Sequence, residues 1–244
     1  MRSFIIIIVF TFLLPMGAAG AWWSTVDRPD SWRQANWSAT GLLPTAAQEP
    51  EAVVHIMAAR TGGLKGAFSV HSWIVLKDHG AVNYERYDKV GWGQPVRRNA
   101  YAADANWYSN PPFIIKTVRG LEAALLIPMI RRAIAEYPHA GRGGYRIWPG
   151  PNSNSFVAHV LREVPEIGAV LPPNAVGKDW LAGGKVFQVT PDQQNVHLSV
   201  YGLAGLSAGL LTGFEINIFG QTLGFDFVRP ALKLPAIGRV GTPL

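Results

Sequence analysis

The sequence predicts an α+β domain, with antiparallel strands at the start and end of the folded region and helices packed between them. Three observations carry this reading. The stretches "EAVVHIMAAR", "AFSVHSWIVLK" and "VNYERYDKVGW" are β-branched or alternate aromatic with polar residues. "GLEAALLIPMIRRAIAEYPHA" and the run from Asn154 to Val164 carry apolar residues at helical spacing. "NVHLSVYG" and "GFEINIFGQTLGFDFV" return to period two and give a C-terminal β region.

The first 21 residues stand apart. "MRSFIIIIVFTFLLPMGAAGA" has one basic residue, an apolar block from Phe4 to Leu14, then Pro15 and small residues. That is the form of an export signal cut before Trp22, or of a membrane anchor that is kept, since Phe4 to Trp23 carries no charge and is long enough to span a bilayer. Either way the rest of the chain is expected outside the cytoplasm. Residues 22–50 are polar, dotted with tryptophan and rich in turn formers, an extended linker that lies across the domain or tethers it. The folded domain is expected over 51–244.

Within that domain "EAVVHIMAAR" and "AFSVHSWIVLK" are strands, and "VNYERYDKVGW" pairs with the second across the turn "DHGA". Pro95 to Pro112 is aromatic, proline-rich and without period, hence loop. In the helix that follows, the spacing puts Leu121, Ala124, Leu125, Met129, Ile130 and Ile134 on one face, despite Pro128. A short strand is expected at Tyr145–Trp148. "PGPNSN" then ends it and caps the next helix.

Composition narrows the chemistry. The 48% hydrophobic content supports a sizeable core, and the +6 net charge is spread without runs, which suits anionic lipid or cell-wall polymer rather than nucleic acid. The chain has no cysteine, which excludes disulfides, thiolate metal sites and any thiol nucleophile. Histidine and carboxylate spacings match no metal motif, and the glycine-rich stretches lack the context that would cradle phosphate, so no metal or cofactor is expected.

One constellation can carry chemistry. A helix N-terminus offers free backbone N–H groups, so a nucleophile on the first turn has an oxyanion site beside it. Ser153 is placed there, flanked by Asn152 and Asn154, and all three are favoured caps. His71, between apolar neighbours in its strand, is the candidate base. Alternation puts Val70, Ser72 and Ile74 on one face of that strand and His71, Trp73 and Val75 on the other. Tyr84, Glu85 and Asp88 on the adjacent strand are candidates to orient the imidazole, and the sequence does not choose among them.

The segments "AFSVHSWIVLK", "YRIWPGPNSNSF", "GKDWL" and "RPALKLPAIGRVG" resemble a family of bacterial exported or membrane-associated proteins known only as a domain of unknown function. More distantly, a His-bearing strand followed much later by "NSNSF" at a helix start is similar to circularly permuted papain-like folds. In the PPPDE group of these a His strand precedes N-C-N-T/H-F, and in the lecithin-retinol acyltransferase and cell-wall peptidase relatives a His-Trp strand precedes N-C-E. That resemblance places His71 at the base position and Ser153 at the cysteine position, with Phe156 packed behind it. It departs at the nucleophile itself, a hydroxyl where the family has a thiol.

Two functions follow as expectations. One is hydrolysis or transfer of an acyl group on an amide or ester by a Ser–His pair, outside the cytoplasm, as a periplasmic or membrane-anchored protein of a bacterial envelope. The other is a non-catalytic envelope protein that binds peptide, glycan or lipid in the same cleft.

Overall fold

The computed structural model describes residues 2–242. Strands β1 (Val53–Arg60) and β2 (Val70–Lys77) form the centre of a five-stranded antiparallel sheet ordered β4-β3-β2-β1-β5, with β3 at Glu85–Lys89, β4 at Val96–Arg98 and β5 at Phe113–Arg119. Both central strands are buried along almost their whole length, which their β-branched composition anticipates. β5, "FIIKTVR", went unrecognised because it runs straight into the following helix with no turn residue to separate them except Gly120.

Two helices, α3 (Gly120–Ala135) and α4 (Ser153–Glu163), cover one face of this sheet. Val70, Ile74 and Leu76 of β2 point into that core, and Trp73 and Val75 join a second cluster on the opposite face. The second face is closed by aromatic loops rather than helices. Trp107 comes from the loop before β5, and Leu43, with Trp37 beside it, comes from the N-terminal segment, which lies across the domain.

Three expectations need correction. Pro95 to Pro112 is not loop throughout, because Val96–Arg98 pairs with β3 as the short edge strand β4. In α3 the buried stripe is Ala123, Leu126, Ile127, Ile130, Ala133 and Ile134, whereas Leu121, Leu125 and Met129 face outward. The helix is apolar nearly all round, so spacing alone did not fix which stripe faces the core. No strand forms at Tyr145–Trp148. No sheet edge reaches that segment, and the Arg146 N–H donates instead to the Pro151 carbonyl, closing a loop.

The C-terminal region is a second, seven-stranded antiparallel meander: β6 (Phe187–Val189), β7 (Asn195–Val200), β8 (Ala204–Gly209), β9 (Gly213–Ile218), β10 (Gln221–Asp226), β11 (Ala231–Leu234) and β12 (Gly238–Gly241). Its buried face is polar. Glu215 accepts from both Lys178 (2.9 Å) and Lys233 (2.6 Å), and Asn195, Ser199, Ser207, Asn217 and Thr222 share that side. The apolar residues of the same strands point outward.

At the N-terminus, α1 (Arg2–Ile8), a π-type turn (Val9–Leu13) and α2 (Leu14–Ser24) make one helical run. Ile6–Ser24 is long and apolar enough to cross a membrane. Its last turn is wedged into the domain. Trp23 is 2% exposed and donates its indole N–H to the Gly63 carbonyl at 2.9 Å. A Cβ at Gly66 would stand 2.2 Å from the Trp23 ring, so only glycine leaves room for it.

Candidate functional site

The start of α4 is fixed by Asn152. Its Oδ1 accepts from the Ser155 N–H at 3.0 Å, and the Asn152 N–H donates to Ser155 Oγ at 2.7 Å, a reciprocal cap. The Asn152 amide also donates to the Ile147 and Val176 carbonyls. Gly177 lets the chain pass this close, since a Cβ there would lie 2.5 Å from Asn152 Nδ2. The cap is therefore Asn152 rather than Ser153, whose hydroxyl makes no hydrogen bond among the described residues.

Asn154 ties this turn to β2. Its Nδ2 donates to the Val70 carbonyl at 2.9 Å and its Oδ1 accepts from Ser72 Oγ at 2.9 Å. Those are the residues on either side of His71, so the neighbour of Ser153 is bonded to both neighbours of His71. With the side chains of Asn152 and Asn154 consumed in this way, the donors left at the helix start are the backbone N–H groups of Ser153 and Asn154, which precede the first bonded N–H of the turn.

His71 lies on the other face of β2, where Asp88 meets it: Nε2 to Oδ1 is 2.8 Å. Arg86 grips the same carboxylate, with Nε to Oδ2 at 2.7 Å and Nη2 to Oδ1 at 2.9 Å, and its guanidinium lies 4.0 Å over the Trp73 ring. Burial would raise the Asp88 carboxyl, but Arg86 and the His71 bond outweigh it and hold it below the usual carboxylate range. Burial also acts on His71 and dominates there, pushing it below the usual imidazole value against the pull of Asp88. An ionised Asp88 can only accept, so His71 carries its proton on Nε2 and presents a basic Nδ1. Trp107 stacks flat on the imidazole at 3.6 Å and 2°.

Of the three candidate orienting groups only Asp88 reaches His71. The Tyr84 hydroxyl donates to the Pro44 carbonyl. Glu85 is taken up by Arg98, Arg131 and the Tyr87 hydroxyl. Phe156 is fully buried beneath the helix start, edge-on to Tyr137 at 5.2 Å. Ser153 and His71 are not hydrogen-bonded to each other; both line one cleft of about 990 Å³. Trp107, Tyr108, Tyr145, Trp148 and Phe219 form aromatic walls, and Phe12 and Met16 of the N-terminal helix close one side.

Arg86 and Trp107 were missed by sequence reasoning. Arg86 shares the parity of Asp88 along β3 and so shares its face, a signal available once the strand is recognised. Trp107 sits in aperiodic loop and left no such signal.

The architecture is thus that of a mixed α and β protein, with a polar-lined helix start set against a buried His–Asp–Arg chain. Residues 51–180 match the family described as protein of unknown function (DUF3750), and the chain belongs to that family. The match holds the five-stranded sheet, both covering helices and every residue of the constellation, and ends before the seven-stranded sheet. No curated protein sequence and no solved structure matches the chain.

Proposed function

We propose that the protein is an acyl hydrolase or acyltransferase of permuted papain-like type that acts outside the cytoplasm on an amide or ester of the cell envelope. The observation that carries this is the pair of hydrogen bonds between Asn154 and Val70 and Ser72, which ties the Ser153 turn to the strand that bears His71, while Asp88 engages the imidazole through Nε2. Ser153 Oγ attacks the acyl carbon, and its proton passes to His71 Nδ1. The carbonyl oxygen, now negative, takes hydrogen bonds from the N–H groups of Ser153 and Asn154. Collapse expels the leaving amine or alcohol with the proton from His71, and water or an acceptor hydroxyl then releases the acyl group by the reverse order of transfers. Asp88, positioned by Arg86, holds the tautomer and offsets the positive charge that His71 acquires. In this reading Ser153 and His71, which line the same cleft, must bring Oγ and Nδ1 into contact when substrate enters, as catalytic contacts tighten in the reacting complex.

A second reading rests on a specific observation: no bond joins Ser153 to His71 in the free cleft among the described residues, and the position that the papain-like resemblance gives to a thiol holds a hydroxyl. In that reading the aromatic walls bind a peptide, glycan or lipid without reaction.

A fluorophosphonate probe, run beside a peptidoglycan digest, separates the two. Covalent labelling of the wild type, abolished by Ser153→Ala and by His71→Ala, is the expected result. Labelling that persists in both variants removes these residues from the mechanism, and digest binding without labelling or cleavage establishes the second reading.

A further inference from the structure

The seven-stranded sheet is inside out. Across its strands Phe187, Leu198, Leu206, Ile216 and Leu223 pair in one row on the outer face. A second row runs Phe214, Phe225, Leu232, Val240. The alternate positions, Glu215 and Lys233 among them, are the buried ones. Strand spacing and length give the outer face about 600 Å², the upper end of what a monomer leaves exposed and the mark of an interaction surface.

We infer that this outer face is seated on a lipid bilayer. The first support is continuity. The N-terminal helical run, long and apolar enough to cross a membrane, lies along this sheet: its Val9–Leu13 turn packs on β10, and Phe12 and Met16 share the cleft with Ile218 and Phe219. Ile6, Phe10 and Leu14 on that run are themselves exposed. A helix held in the bilayer while wedged by Trp23 brings the sheet down with it. The second support is charge. Lys185 and Arg229 are exposed at the rim of the sheet, beside the exposed Asp192 and the partly exposed Glu163 that meets Gln188, and the chain as a whole carries a net +6, which suits anionic headgroups. A second copy of the chain would bury about 1,200 Å² in total by sheet-to-sheet stacking, the bottom of the range for stable dimers, and would leave the apolar side of the helix uncovered.

The absence of native cysteine makes the test direct. The full chain carrying Leu198→Cys, labelled with a polarity-sensitive fluorophore, is reconstituted into vesicles of phosphatidylglycerol and phosphatidylcholine in equal parts. Val82→Cys, in the solvent-facing turn before β3, serves as control. Expected is a blue shift at position 198 and quenching by nitroxide-bearing lipid about fivefold stronger than at position 82, as an interfacial surface requires. Leu206→Cys, its cross-strand neighbour, repeats the reading at a second site. Equal quenching at 198 and 82 overturns the inference. So does a disulfide between copies at position 198 that forms equally with and without vesicles, which would make the occupant a second chain.

Discussion

At the residue scale the arrangement turns on Asp88, fully buried between two cationic or cation-prone groups, Arg86 and His71. Replacing it with alanine strands the Arg86 guanidinium in the interior, at a cost of about 3–5 kcal/mol, and urea unfolding should show that loss. Asp88→Asn keeps the shape but lets the amide donate to His71, which favours the wrong tautomer. Probe labelling should then fall by on the order of 10²-fold or more while the fold survives, and an unchanged labelling rate would show that Asp88 serves the fold alone. The pairing Ile74 with Tyr87 puts Asp88 opposite Trp73, on the face that His71 shares, and places Glu85 on the other face. Tyr84 has the right parity but lies four residues further from His71, about 13 Å along the strand. Parity and distance together select Asp88, but both need a register that the sequence did not supply.

At the scale of the element, the helix start divides the work among neighbours that look interchangeable in "NSNS". Asn152 caps, bonds two carbonyls and receives Gly177 against it, whereas the Ser153 hydroxyl makes no hydrogen bond among the described residues. Asn152→Ala should cost about 2–3 kcal/mol, a cap plus buried partners left unmet. Ser153→Ala should stay within about 0.5 kcal/mol of wild type. Thermal or urea unfolding of the two variants checks this; an Asn152 variant as stable as the Ser153 variant would count against the capping geometry. The sequence offered three equally good caps here, and only the distant segment at Val176 and Gly177 separates them. In the same way α3 showed its apolar residues plainly and hid which of them face the core, because that depends on the tilt of the helix against β1 and β5.

At the scale of the whole molecule, the two sheets follow opposite rules. In the first the apolar residues are inside, and alternation read correctly. In the second the alternation was equally visible, but the buried face is the polar one, closed by Glu215 with Lys178 and Lys233. Buried titrating groups also set how the protein meets acid. Burial drives His55 and His159 down to about 4 and His197 to about 3, and raises Asp179 to about 6. In the unfolded chain these histidines titrate near 6.5 and the aspartate near 3.9. At about pH 5 unfolding therefore takes up three protons and releases one, so stability should fall with falling pH by about 3 kcal/mol per unit. The loss should begin as pH drops below about 6.5 and persist to about 4, and His71, also lowered, acts in the same direction. Urea unfolding at a series of pH values measures the slope; a flat profile across that window would show that these histidines are solvated.

The Trp23 wedge has a mechanical consequence. An indole locked against Gly66 and bonded to Gly63 leaves no swivel between the N-terminal helix and the domain. Helix and domain turn as one body, so wherever the helix axis is held, the compass bearing and height of the cleft are held with it.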